Sequence, residues 1–63
     1  MSDYMIDLCE TLEAMTGFDF DAIQDAILRH DMLDLWHDKT NLPDPGSKRD
    51  MRNLAKWVAV CLH

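Results

Sequence analysis

The sequence predicts an all-α fold: a small single-domain bundle of four helices, the third short, with no sheet. Three observations carry that expectation. Apolar residues recur at three- and four-residue steps along most of the chain, a glycine and a proline-rich stretch mark boundaries between the periodic runs, and no strand pattern competes. Alternating stretches, Asn-Gly or Asp-Gly hairpin turns and runs of β-branched residues are all missing. Sixty-three residues make one domain, residues 1–63. A chain this short buries only about 60% of the surface its unfolded form exposes, so its core is thin. Hydrophobic residues at 48% argue against disorder.

The first helix is expected over about 3–16, capped by Ser2 or Asp3 and stopped by Gly17. Met5, Leu8, Cys9, Leu12 and Met15 form its apolar face, with Asp3, Asp7, Glu10 and, at the margin, Glu13 opposite. A second helix over about 20–30 starts behind Asp19 or Asp21 and buries Phe20, Ile23, Ala26 and Ile27. Its outward side carries Asp21, Asp25 and Arg29, the last two spaced as an i,i+4 ion pair. Past His30 the apolar positions become Met32, Leu33, Leu35 and Trp36, rotated by about a third of a turn at about 100° per residue. That rotation predicts a break at Asp31, which would cap a short third helix of about 32–38.

Residues 39–46, Lys-Thr-Asn-Leu-Pro-Asp-Pro-Gly, have the composition of a loop, which Leu42 is expected to anchor. The fourth helix is expected over about 45–62, entered through Asp44-Pro45 or, slightly later, through Ser47 and Asp50. Met51, Leu54, Ala55, Val58, Cys61 and Leu62 make its buried face, with Trp57 on the flank. Lys48, Arg49, Arg52 and Lys56 make a basic outer stripe.

Composition excludes several functions. Cys9 and Cys61 offer no disulfide framework and no metal knuckle, and both fall on apolar faces as buried free thiols, a disulfide between the first and fourth helices being the alternative. The start, Met-Ser-Asp-Tyr-Met-Ile-Asp-Leu-Cys-Glu, lacks the basic and apolar regions of a signal peptide. No run approaches the roughly 20 apolar residues that span a bilayer. Acidity disfavours anionic membranes and direct nucleic-acid binding. The expectation is a cytoplasmic monomer.

No chemistry-bearing motif stands out. His30, Asp34, His37 and Asp38 would align only on an unbroken helix, and no HExxH pattern is present. No carboxylate is expected in an apolar pocket, no nucleophile has a base beside it, and no phosphate-cradling glycine loop occurs. The expectation is a non-enzymatic protein without cofactor or metal.

Charge is the remaining signal. Residues 1–38 hold ten acids against the single base Arg29, a net −9, whereas residues 39–63 carry +3 within the overall −6. Acids recur by helical turns at 3, 7 and 10, at 21 and 25, and at 31, 34 and 38. Like charges at such steps destabilise short helices, and few bases interleave to relieve them. Carboxylates one turn apart stand about 5–6 Å from each other, the order of spacing of successive phosphates on a nucleic-acid strand. Such stripes fit the Arg/Lys groove of a nucleic-acid-binding protein. The expected contact set is Asp3, Asp7, Glu10, Glu13, Asp21, Asp25, Asp31, Asp34 and Asp38. The alternative is a helical adaptor binding a partner through an apolar groove made by Met residues, Phe18 and Trp36 or Trp57.

Two resemblances accompany these residues. Met15-Thr16-Gly17-Phe18, with the later Ala26-Ile27-Leu28, resembles the loop and leucine-rich face of the ubiquitin-associated domain, although Thr16 interrupts the motif and a basic helix is added. The same residues also read as a glycine helix stop followed by a core phenylalanine. In size, acidity and helical build the whole chain resembles small phage-encoded anti-CRISPR and other DNA-mimic inhibitors, with no motif to match. That resemblance implies a protein acting in the host cytoplasm to block DNA or PAM recognition by a Cascade-type effector.

Overall fold

A computed structural model describes residues 2–38 and 40–63, so Lys39 of the expected loop lies outside the described residues. Among the described residues three helices, not four, build the fold: α1 (Asp3–Thr16), α2 (Phe20–Arg29) and α3 (Lys48–Leu62). Each packs against the other two. Leu8, Leu12, Ile23, Ile27, Leu54 and Val58 interlock at their common centre, with Met32 and Trp36 closing it from the α2–α3 connection.

Local chemistry sets the ends of α1. The Ser2 Oγ accepts the Met5 N–H at 3.3 Å, satisfying a donor that the first turn leaves unpaired. At the other end Gly17 has φ 81° and its N–H donates to the Glu13 carbonyl at 2.9 Å. A side chain there would be strained, so the glycine is the stop. Phe18 then folds back against the core, half-buried, and the Thr16 Oγ accepts its N–H at 3.3 Å. The glycine stop and the packed phenylalanine expected of the Met15–Phe18 segment are thus both present.

The break at residue 31 is present, but for a different reason from the expected one. Asp31 lies in the left-handed region at φ 49°. Its N–H donates to the Leu28 carbonyl at 3.4 Å, and the Met32 N–H donates to that of Ile27 at 3.0 Å. These two bonds form a Schellman motif, with buried Met32 meeting buried Ile27 as its apolar contact. Asp31 thus ends α2 instead of starting another helix.

Beyond Asp31 the chain makes a single turn, in which the Leu35 N–H donates to the Asp31 carbonyl at 2.9 Å. Met32 and Trp36, four residues apart, are both buried by it, while Leu35 is 65% exposed. One turn already satisfies the four-residue spacing that suggests a helix over 32–38, and the nucleation cost of a short helix is not repaid by further burial.

The loop differs from expectation in its anchor. Leu42 is 44% exposed, whereas Pro43 is buried. The Tyr4 hydroxyl donates to the Pro43 carbonyl at 2.6 Å, tying the loop to α1 across 39 residues of sequence. Helix α3 begins at Lys48, three residues after the expected 45, because the later cap wins. The Ser47 Oγ accepts the Asp50 N–H at 3.2 Å, and the Asp50 carboxylate accepts the Asp44 N–H at 3.2 Å. Met15 departs too: at the end of the apolar face of α1 it is 48% exposed. Cys9 is buried and Cys61 half-buried, both as free thiols, on the apolar faces expected for them.

Candidate functional site

Eight of the nine expected contact carboxylates are exposed, and the ninth, Asp38, is half-buried. On α1, Asp3, Asp7 and Glu10 stand opposite the side that buries Met5, Leu8, Cys9 and Leu12. On α2, Asp21 and Asp25 stand opposite Ile23, Ala26 and Ile27. Amphipathic periodicity therefore puts both acidic stripes on solvent-facing ridges.

Not all nine carboxylates are free. The Glu13 carboxylate accepts the Phe20 N–H at 3.1 Å, so it caps α2 from the neighbouring helix. The Asp25 carboxylate pairs with the Arg29 guanidinium at 2.9 Å, the only ion pair among the described residues. With both partners more than half exposed, that pair contributes only about 0.3–0.5 kcal/mol. Asp38 is spent on its own turn. It accepts the N–H groups of Thr40 at 2.9 Å and Asn41 at 3.1 Å, and the Asn41 side-chain amide at 3.3 Å. The Asn41 N–H first, then the Thr40 N–H and the Asn41 amide, hold its carboxyl below the usual carboxylate range. That leaves Asp3, Asp7, Glu10, Asp21, Asp31 and Asp34 with no side-chain partner among the described residues.

Helical spacing misses one carboxylate. Asp19, which with Asp21 is one of the two expected caps of α2, stands at the N-cap but makes no side-chain capping hydrogen bond and is exposed. Because Glu13 takes the Phe20 N–H between them, Asp19 and Asp21 flank the point where α1 meets α2, and Glu13 joins them there. Only the folded contact reveals this, since Glu13 and Phe20 lie on different helices on either side of the Gly17 stop. Asp31 and Asp34 meet elsewhere, around a hollow of about 180 Å³ that Ile27, Leu28 and Leu33 also line.

The bases stay apart from these acids. Lys48, Arg49, Arg52 and Lys56 are all exposed on α3, and none forms an ion pair among the described residues. The charge polarity of the sequence thus survives folding without an ion pair between α3 and the acidic helices among the described residues. Trp36, at 5% exposure, is part of the core and no part of a groove, whereas Trp57 and Phe18 are half-buried.

The two remaining perturbed groups belong to the scaffold. Burial, then the charges of Asp44 and Asp50, push the Tyr4 phenol up, and burial pushes the Cys9 thiol up. Among the described residues no three His, Cys, Asp or Glu side chains converge as metal ligands, and no helix is long and apolar enough to cross a membrane. Comparison with protein families, curated proteins and solved structures finds no match.

Proposed function

We propose that the chain is a non-enzymatic acidic inhibitor that occupies the basic nucleic-acid-binding surface of a partner protein. The observation that carries this reading is the set of exposed carboxylates on α1, α2 and the Asp31–Leu35 turn, six of them without a side-chain partner among the described residues. A fold of this size retains little stability in reserve, and unrelieved like charges subtract from it. Placed against Arg and Lys side chains, the same carboxylates gain partners, and their field speeds encounter.

Within that reading, Asp3, Asp7 and Glu10 along α1 stand in for consecutive phosphates. Asp19 and Asp21 extend the array at the α1–α2 junction, and Asp31 and Asp34 supply a second group. Glu13, Asp25 and Asp38 shape the array instead of adding free charge to it. The narrower form is an anti-CRISPR that blocks DNA or PAM recognition by a Cascade-type effector through DNA mimicry, and it rests on the likeness of type alone. Affinity capture from host lysate tests both levels. Nucleic-acid-binding proteins should elute at moderate salt and be displaced by added duplex DNA, and an effector among them would establish the narrower form. Retention that ignores salt and DNA would favour the adaptor alternative, for which Phe18 and Trp57 remain half-exposed.

A further inference from the structure

The basic face of α3 borders a cleft that none of the described residues fills. Between the first turns of α3 and the second half of α1 lies an opening of about 260 Å³, floored by Met15 and Met51 and rimmed by Lys48 and Arg52. Met15 is 48% exposed there, on the apolar side of its helix. The chain carries a surface of the opposite kind elsewhere. Leu28, 59% exposed, lines a hollow with the free carboxylates of Asp31 and Asp34, and Leu35, next to Asp34 in sequence, is 65% exposed.

We infer that these two surfaces are complementary and that copies of the chain associate through them. Leu28 or Leu35 of one copy enters the Met15–Met51 cleft of the next, and Asp31 and Asp34 meet Lys48 and Arg52. The three helices pack mutually, so the α1–α3 cleft faces away from α2. Leu28 points outward from α2, opposite buried Ile23 and Ala26. One molecule therefore cannot bring its own two surfaces together, and the contact forms between copies. Its strength is limited by area. A stable interface takes about 800 Å² per partner. That is roughly a fifth of this chain's 4148 Å², more than the rim of one cleft provides. The association is accordingly weak, concentration-dependent and salt-sensitive. It shares Asp31 and Asp34 with the proposed inhibitory face but needs no other protein, so its success or failure is read separately.

Sedimentation equilibrium of the purified chain is the test. In about 50 mM salt the weight-average mass should rise above 7.3 kDa as the protein is concentrated towards about 1 mM. In about 500 mM salt the association should weaken at least tenfold. Leu28→Ala/Asp34→Asn and Met15→Ala/Arg52→Gln should each stay monomeric. Mixed in equal amounts, they keep one intact surface apiece and should form a species of twice the chain mass that grows no further. A wild-type mass fixed at 7.3 kDa overturns the inference. So does association indifferent to salt, association retained in both variants, or an equimolar mixture that stays monomeric.

Discussion

Replacing Asp31 probes how α2 ends, because two geometries predict opposite signs. As the C′ residue of a Schellman motif, Asp31 holds φ 49°. An ordinary L-residue in that region costs about 1–2 kcal/mol, and asparagine and aspartate somewhat less through local hydrogen bonding. A negative charge just past the C-terminus of α2 opposes the helix dipole by about 0.3–1 kcal/mol. Asp31→Asn removes that charge while tolerating the conformation, so it should stabilise by a few tenths of a kcal/mol. Asp31→Gly removes both penalties, and even after glycine's entropic cost of about 0.5–1 kcal/mol it should be at least as stable as wild type. Asp31→Ala should fall below Asp31→Gly by about 1 kcal/mol, and Asp31→Val further. For a domain of this size, 1 kcal/mol corresponds to about 4–8 °C in Tm, within reach of thermal unfolding followed by circular dichroism. If Asp31 instead capped a following helix, glycine would be worse than asparagine. A series ordered Asn above Gly, with Gly close to Ala, refutes the Schellman assignment.

Other perturbations act on contacts of the same kind. Glu13→Ala should cost about 1 kcal/mol by uncapping α2, whereas Glu13→Gln, whose amide oxygen can still accept the Phe20 N–H, should cost less; chemical denaturation separates them. Tyr4→Phe should cost about 0.5–1.5 kcal/mol by releasing Pro43. Because the folded phenol is raised, its stabilising contribution is complete below the unfolded tyrosine pKa and is lost as pH rises through the folded value. Tyr4 is the sole tyrosine, so tyrosinate absorbance should appear above the usual range in folded protein and return to it in denaturant. With a thiol reagent Cys61 should react first, while Cys9, buried and with its thiol pushed up, should wait for unfolding; equal rates would contradict its burial.

Periodicity makes α1, α2 and α3 legible, because each buries one stripe against the other two. It fails at residues 32–38, where Met32 and Trp36 stand one turn apart and need no more helix than that turn. It fails also at Leu42, since whether a leucine or its neighbouring proline turns inward depends on the Tyr4 hydroxyl, 39 residues away in sequence. The acidic stripes are readable as outward faces for the same reason the core is. Which carboxylates are already engaged is not, because the Phe20 N–H that Glu13 accepts and the loop N–H groups around Asp38 become neighbours only after folding.

The central claim is that free carboxylates on α1 and at the α1–α2 junction bind a basic nucleic-acid site. The most direct measurement compares wild type with Asp7→Lys/Glu10→Lys/Asp21→Lys as bait, after circular dichroism has established that the variant folds. Wild type should hold nucleic-acid-binding proteins at about 50 mM salt and release them by about 500 mM or on addition of duplex DNA. The variant should hold none of them. Capture by the variant equal to that by wild type, or retention that neither salt nor DNA disturbs, would contradict it.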